Sequence, residues 1–429
     1  MIYPQKSQLE AYDSNGNLIT IPASPTDGLK VSLGGAALDA FGRQRVSDPL
    51  TLFDSKQLYD NQPLFWDDQE VSGSGTTSVH NPNEASSVLS VSATTAGKRV
   101  RQTFRRFNYQ SGKSQLIMMT GILSSGGTGI TEEIGYFDDN NGLFFQSKDG
   151  VKSVVRRTNV TGSPVDTTIN QSSWNLDKMN GTGSSGVNID FDKTQIFIID
   201  FEWLGVGRVR MGFVHNGEII YCHEILNSNN LEEVYMSTPN LPIRYSIEND
   251  GTGGADSITQ ICATVISEGG KQNTGVVRSF DLGTATINAN TVDTEYALIG
   301  IRHKAANLGA TLTEDSSSIL ATTADAFRWT LSIGSTVAGT FNYNDVSNSS
   351  IQVAYGDTAG NPSTNTVTLG TVIDSGYVSQ QSRSVNLNLS SVLKIGSFID
   401  GTRQELLLSV TPLTGNLDIT GSLSIRELS

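Results

Sequence analysis

Only two cysteines, Cys222 and Cys262, occur in 429 residues. A disulfide-stapled scaffold is excluded, and so is a zinc site built on CxxC pairs. The sequence also lacks GxSxG, HExxH, a P-loop, and a GxGxxG ahead of a helix, so the common nucleophile, zinc and nucleotide motifs are absent. No window approaches the ~18 apolar residues of a membrane helix. The first residues, "MIYPQKSQLEAYDSNG", have no apolar segment of the kind a secretory signal carries. These absences predict a soluble chain made in the cytoplasm, with no membrane insertion. Charge is scarce as well, at 17% of residues, and it is lopsided: 29 Lys and Arg against 43 Asp and Glu, a net charge of -14. Such a chain repels phosphate backbones, and no nucleic-acid partner is expected.

Glycine is abundant, with 43 residues, alongside many serines, threonines and asparagines. That composition favours strands and turns over helices. Helical periodicity is confined to "LDAFGRQRV" (38–46) and "TLFDSKQLYD" (51–60). Elsewhere, runs of four to eight residues alternate or stay apolar between Gly, Asn, Asp and Ser clusters, which predicts β-sandwiches. Residues 1–45 have too few apolar residues for a core and read as an extended arm. Residues 46–270 read as a first β unit, 271–278 as a linker and 279–429 as a second β-sandwich.

The stretch "RVRMGFVHNGEIIYCHE" (208–224) gathers His215, Glu218, Cys222, His223 and Glu224, the residue types of a metal site. Asn216-Gly217 at its centre is a strong signal for a two-residue hairpin turn. With the turn there, His215 faces Glu218, Phe213 faces Ile220, Met211 faces Cys222 and Arg210 faces His223. The two-residue period then puts Val209, Met211, Phe213, Ile220 and Cys222 on a core face and His223 on the other, beside Arg210. The histidines are split, which argues against a shared ion, because zinc ligands must lie ~2.0–2.3 Å from it.

Three other stretches hold candidate chemistry. "GYFDDNNGLFFQ" (135–146) offers Asp138, Asp139 and Asn141 as calcium ligands, or a hairpin turn at Asn141-Gly142. "KRVRQTFRRFNY" (98–109) interleaves Arg99, Arg101, Arg105 and Arg106 with aromatics. That pattern suits single-stranded nucleic acid or, in an acidic protein, arginines paired with acidic loops. "QPLFWDDQE" (62–70) sets Trp66 beside Asp67 and Asp68, either a sugar platform with Trp174 or a core anchor.

"DAFGRQRVSDPLTLFDSKQLYDNQPLFWDD" (39–68) resembles a block of structural proteins of tailed bacteriophages. "GRVRMGFVHNGEIIYCHE" (207–224), "MSTPNLPIRYSIENDG" (236–251) and "ICATVISEGG" (261–270) are similar to the same family. The strand, Asn-Gly turn and returning strand of residues 209–224 also resemble concanavalin A-like or laminin-G-like jelly rolls. The resemblance implies an all-β protein: a concanavalin A-like jelly-roll sandwich, a second β-sandwich and an extended N-terminal arm. It implies a non-enzymatic fibre, decoration or baseplate-type component of a virion, assembled in the host cytoplasm. Its partners would be other virion proteins, with Phe41, Arg43 and Arg45 of the arm in assembly contacts, and the low-charge β composition and coreless arm predict a homo-oligomer, a trimer. The alternative is a receptor-binding lectin that recognises host surface polysaccharide through Trp66, Asp67 and Trp174. A polysaccharide depolymerase is a third reading. No cofactor beyond the candidate calcium is implied.

Overall fold

The alternating apolar runs pair as antiparallel strands throughout a computed structural model. It describes residues 48–270, 274–388 and 394–428, and the backbone of four short strands between residues 10 and 29. Residues 1–47 and 48–429 are two compact units. In the first unit Glu10–Tyr12 pairs with Leu18–Thr20, and Ala23–Ser24 with Gly28–Leu29. Phe41, Arg43, Arg45 and the helix expected over 38–46 lie outside the described residues.

The protein is all-β: a jelly-roll sandwich is followed by a second β-sandwich. Fifteen strands build the first sandwich. In chain order β1 to β5 are Pro49–Lys56, Trp66–Gly73, Thr76–Asn81, Ser86–Val91 and Gly97–Thr103. β6 to β10 are Ser114–Ile122, Ile130–Phe137, Gly142–Lys148, Val151–Thr158 and Val165–Asn170. β11 to β15 are Gln195–Phe201, Val209–His215, Glu218–Ile225, Ile243–Asn249 and Asp256–Glu268. One sheet runs β13-β12-β11-β6-β15-β4-β3, with β1 also on β15; the other runs β10-β9-β8-β7-β14-β5-β2. At thirteen residues β15 is long enough to hold two short strands along one edge. Its N-terminal half pairs with β4 and its C-terminal half with β1. The helix expected over 51–60 is therefore corrected. Phe53 turns into the core and Ser55 follows on the same face, and the two-residue period of this edge strand overrides a weak helical pattern.

The core between these sheets is apolar and rich in aromatics, including Phe53, Trp66, Tyr136, Phe145, Phe197, Phe213 and Tyr245. At the hairpin the Asn216-Gly217 turn forms, with both residues at positive φ (52° and 85°) and His215 opposite Glu218. Val209, Met211, Phe213 and Cys222 are buried, as the pattern requires. A bulge between Met211 and Gly212, opposite Cys222, then shifts the register, so that Met211 faces His223 and Arg210 faces Glu224. The extra residue brings both Cys222 and His223 inside, which corrects the expectation that His223 is a surface neighbour of Arg210.

The second sandwich starts earlier than expected. Val276–Asp281 is already a strand, paired with the chain's last strand, Leu417–Leu428. That last strand is the centre of a five-stranded sheet and pairs also with Ile287–Ala289 and Thr311–Ala321. The facing six-stranded sheet is centred on Tyr296–His303 and Leu406–Pro412. Between them lies a separate aliphatic core with Phe327 and Trp329. The sandwiches meet through a short segment of the second. Ser397 N donates to Phe104 O (2.9 Å), Ile399 N donates to Asp67 Oδ2 (2.7 Å), and Phe398 meets Phe104 edge to face at 5.0 Å. No helix among the described residues is long and apolar enough to cross a membrane.

Candidate functional site

β7, "ITEEIGYF", divides its side chains between two environments. Ile130, Ile134 and Tyr136 pack in the core, so the alternate residues Thr131, Glu133, Gly135 and Phe137 face outward. Register carries that outward face across the sheet. Glu133 stands beside Gln146 of β8 and Ser246 of β14, and Thr131 beside Lys148 and Glu248. Gly135 is required here, because a Cβ would lie 2.3 Å from that of Phe144.

Thr131, Glu133, Gln146, Lys148 and Glu248 line a polar cleft of about 320 Å3 with Lys98, Asp149, Arg157, Asp166 and Asp250. Glu133 sits on its floor. It is only 5% exposed although it points away from the core. Gln146 Nε2 donates to its Oε1 (3.1 Å) and Ser246 Oγ to its Oε2 (2.8 Å). The Arg157 guanidinium stands 3.9 Å away, grips Asp166 at 2.8 and 2.9 Å, and lies 5.0 Å over the Phe144 ring. Lys98 pairs with Glu248 at 3.1 Å on the opposite wall. The neighbouring aromatics Phe137 and Phe144 stack at 4.3 Å and are fully buried beneath the arginines. The cleft thus presents fixed donors and acceptors of both signs above a rigid apolar support.

Three carboxylates of this cleft, Glu133, Glu248 and Asp166, each have a cation within 4 Å. Paired side chains of both signs offer a polar ligand several hydrogen-bond donors and acceptors held in place.

The residues singled out from the sequence fall elsewhere. Trp66 is 2% exposed and its Nε1 donates to Ser55 Oγ (2.9 Å); Trp174 is 3% exposed and its Nε1 donates to Ile169 O (3.2 Å). Neither indole has a face for a sugar to stack on, which corrects the platform expectation: both are core anchors. Asp67 is buried at the sandwich junction, where it accepts from Ile399 N, and burial pushes its carboxyl up.

The candidate calcium ligands are likewise occupied. Asp138 Oδ1 accepts the backbone N–H groups of Asn140 and Asn141, and its Oδ2 pairs with Arg106 at 2.7 Å. Asp139 pairs with Arg244. Asn141 Oδ1 accepts from Ser237 N and Oγ. These contacts make a four-residue hairpin loop over 138–141, closed by Phe137 opposite Gly142, in place of the expected two-residue turn at Asn141-Gly142. Among the described residues no group of three or more His, Cys, Asp or Glu is placed to hold a metal ion. In the 208–224 stretch His223 Nδ1 accepts from Asn175 N (3.3 Å), and burial lowers its pKa.

The basic run behaves as an acidic protein demands. Arg99 and Arg101 both meet Asp68, Arg106 meets Asp138, and Arg105 Nη1 donates to Leu52 O. What the sequence reading missed is Glu133. The signal was present in "TEEI": two adjacent carboxylates inside an apolar strand must point to opposite faces, one in and one out.

No family model and no curated protein matches the sequence. Solved structures similar to this chain include the carbohydrate recognition domain of Emp47p (10% identity, TM-score 0.33), covering 54% of this chain and 100% of that one. A second is Rv0315 of Mycobacterium tuberculosis, described as an immunostimulatory antigen and pseudo beta-1,3-glucanase (9% identity, TM-score 0.34, 52% of this chain and 99% of that one). A third is a legume lectin-like domain from Entamoeba histolytica (10% identity, TM-score 0.29, 52% of this chain and 98% of that one).

Proposed function

We propose that the protein is a non-enzymatic recognition protein whose first sandwich holds a polysaccharide segment in the polar cleft over β7, β8 and β14. The observation that supports it is Glu133: a buried carboxylate on an outward face, fixed by Gln146 and Ser246 and ringed by side chains that can donate to or accept from sugar hydroxyls. A rigid polar floor of this kind pre-orients hydrogen bonds before the ligand arrives. The test is a glycan array of bacterial surface polysaccharides, followed by calorimetry on the best ligand. Glu133→Gln removes the charge and one acceptor, and about a tenfold loss of affinity is expected. Binding that is unchanged in that variant would place the saccharide elsewhere.

The second reading is a structural component of a tailed-phage particle, trimeric through the arm that carries Phe41, Arg43 and Arg45. The resemblance of residues 39–68 to phage structural proteins supports it, and so do the bonds that tie one sandwich to the other. The two readings are compatible in a fibre or decoration protein. A purified chain that remains monomeric at high concentration, together with a particle reconstruction lacking it, would remove the virion reading and leave the cleft untouched.

A further inference from the structure

At the junction of the sandwiches lies a second cleft, of about 290 Å3, with a different chemistry. Phe53, Leu64, Phe65 and Phe104 form its walls, and two cations, Arg105 and Lys394, reach it from opposite sandwiches. Leu64 is 42% exposed at the rim. Arg105 Nη1 donates to Leu52 O (2.9 Å), while its buried Nε has no partner. Lys394 Nζ donates to Thr313 Oγ1 (2.9 Å). Among the described residues neither cation has a carboxylate within ion-pair distance. The carboxylate on the lining, Asp54, is already paired with Lys56 at 2.5 Å.

Two desolvated like charges near one another are costly unless an anion joins them. Burial and the Arg105 charge lower the Lys394 pKa to about 8, and burial lowers that of Arg105 to about 10. The acid that faces Lys394 is Glu314, whose carboxyl burial pushes up to about 7, and it has no ion-pair partner among the described residues. The walls favour an apolar body, and the volume is near the lower end of ligand pockets, which begin at about 300 Å3.

We propose that this cleft binds a medium-chain aliphatic carboxylate, with its carboxylate on Arg105 and Lys394 and its chain against Phe53, Leu64 and Phe65. The complementarity is specific: neither the head group nor the chain alone satisfies both the cations and the walls. This site is independent of the polysaccharide cleft.

Calorimetry of the full chain with octanoate, acetate and 1-octanol separates these contributions. Octanoate is expected to bind about tenfold or more tightly than either partial ligand. Lys394→Met should weaken octanoate by about tenfold and leave octanol unaffected. Because a change at a buried lysine can disturb folding, Leu64→Glu at the exposed rim provides a second variant, whose added carboxylate should repel octanoate. Thermal unfolding checks that both variants are intact. Octanol binding as tightly as octanoate, octanoate affinity unchanged in folded Lys394→Met or Leu64→Glu, or no octanoate binding at millimolar concentration would overturn the proposal.

Discussion

Arg101 in the first sandwich and Glu295 in the second are both buried charges, and they are satisfied in different ways. Arg101 is fully buried. It reaches Asp68 at 3.2 Å, Gln260, Gln57 and Asn61 O, and lies 5.3 Å over the Trp66 ring. Those partners come from two stretches of chain, residues 57–68 and Gln260. Glu295 is held chiefly by strand hydroxyls, Ser409 Oγ and Thr411 Oγ1, with one cation, Arg328, at 2.7 Å. The first sandwich thus matches charge with charge, as it does again at Asp138, Asp139 and Asp166. The second pairs charges too, Arg302 with Glu405 and Arg426 with Asp315, but around Glu295 it adds hydroxyls from a strand more than a hundred positions away. In both sandwiches a buried charge is satisfied by partners that the sheet order brings to it, and the polar cleft over β7 lies in the first sandwich.

The comparison breaks first, and with the largest effect, at these two charges. Arg101→Met leaves Gln260 Oε1 and Asn61 O without their donor, while Asp68 keeps Arg99, and a loss of about 2–3 kcal/mol is expected in urea unfolding. Glu295→Gln keeps an oxygen for one hydroxyl and offers an N–H that the other can accept, while Arg328, only half-buried, loses its ion pair, so about 1–2 kcal/mol is expected. Equal losses would mean that the two sandwiches do not differ in this respect.

Acid provides the next test. His303 of the second sandwich is buried, its Nε2 lies 2.9 Å from Ala310 O, and burial lowers its pKa to about 4 from an ordinary 6.5. A depressed histidine pKa means that the unfolded chain binds the proton first. Its stability contribution is full above pH 6.5 and is lost as pH falls towards 4, by about 3 kcal/mol at most. Glu314, with its pKa raised to about 7 from 4.5, works in the opposite direction, because its contribution is full below pH 4.5 and lost as pH rises through 7. The difference between wild type and His303→Gln, measured by denaturation from pH 7 to 4, isolates the histidine. A flat difference would exclude it as the source of acid sensitivity.

The smallest effect is one the two sandwiches should share. Gly217, at φ 85°, turns the hairpin of the first, and Gly415, at φ 93°, lies between the last two long strands of the second. A Cβ at Gly217 would meet nothing within 4 Å, and at Gly415 only Val292 at an ordinary 3.4 Å. Each Gly→Ala change therefore costs conformation alone, about 1 kcal/mol, read as a small drop in melting temperature. A much larger loss at one site would show that its turn has a role beyond reversing the chain.

Much of the architecture was legible from alternation and turn chemistry. The core face of the 209–222 hairpin and the strands at 296–303, 327–333 and 406–412 follow from a period of two, which is a local property of the backbone. The bulge between Met211 and Gly212 was not legible, because one inserted residue leaves the composition unchanged while it re-aims every side chain beyond it. The candidate site was least legible. Trp66 and Trp174 looked like platforms and proved to be core, since a tryptophan's exposure is decided by what packs over it.

The sequence by itself determined that this chain is built of antiparallel strands, because a period of two and turn residues such as Asn216-Gly217 are local properties. Only the tertiary structure decided which acid each arginine meets. It alone decided that Glu133 lies beside Gln146 and Ser246 in a cleft, and that Arg105 and Lys394 face one apolar pocket from two sandwiches. The reason is separation along the chain. Strand period is set by neighbours one and two residues away, whereas these sites join residues as far apart as Phe53 and Lys394, and nothing short of the completed sheet order brings them together.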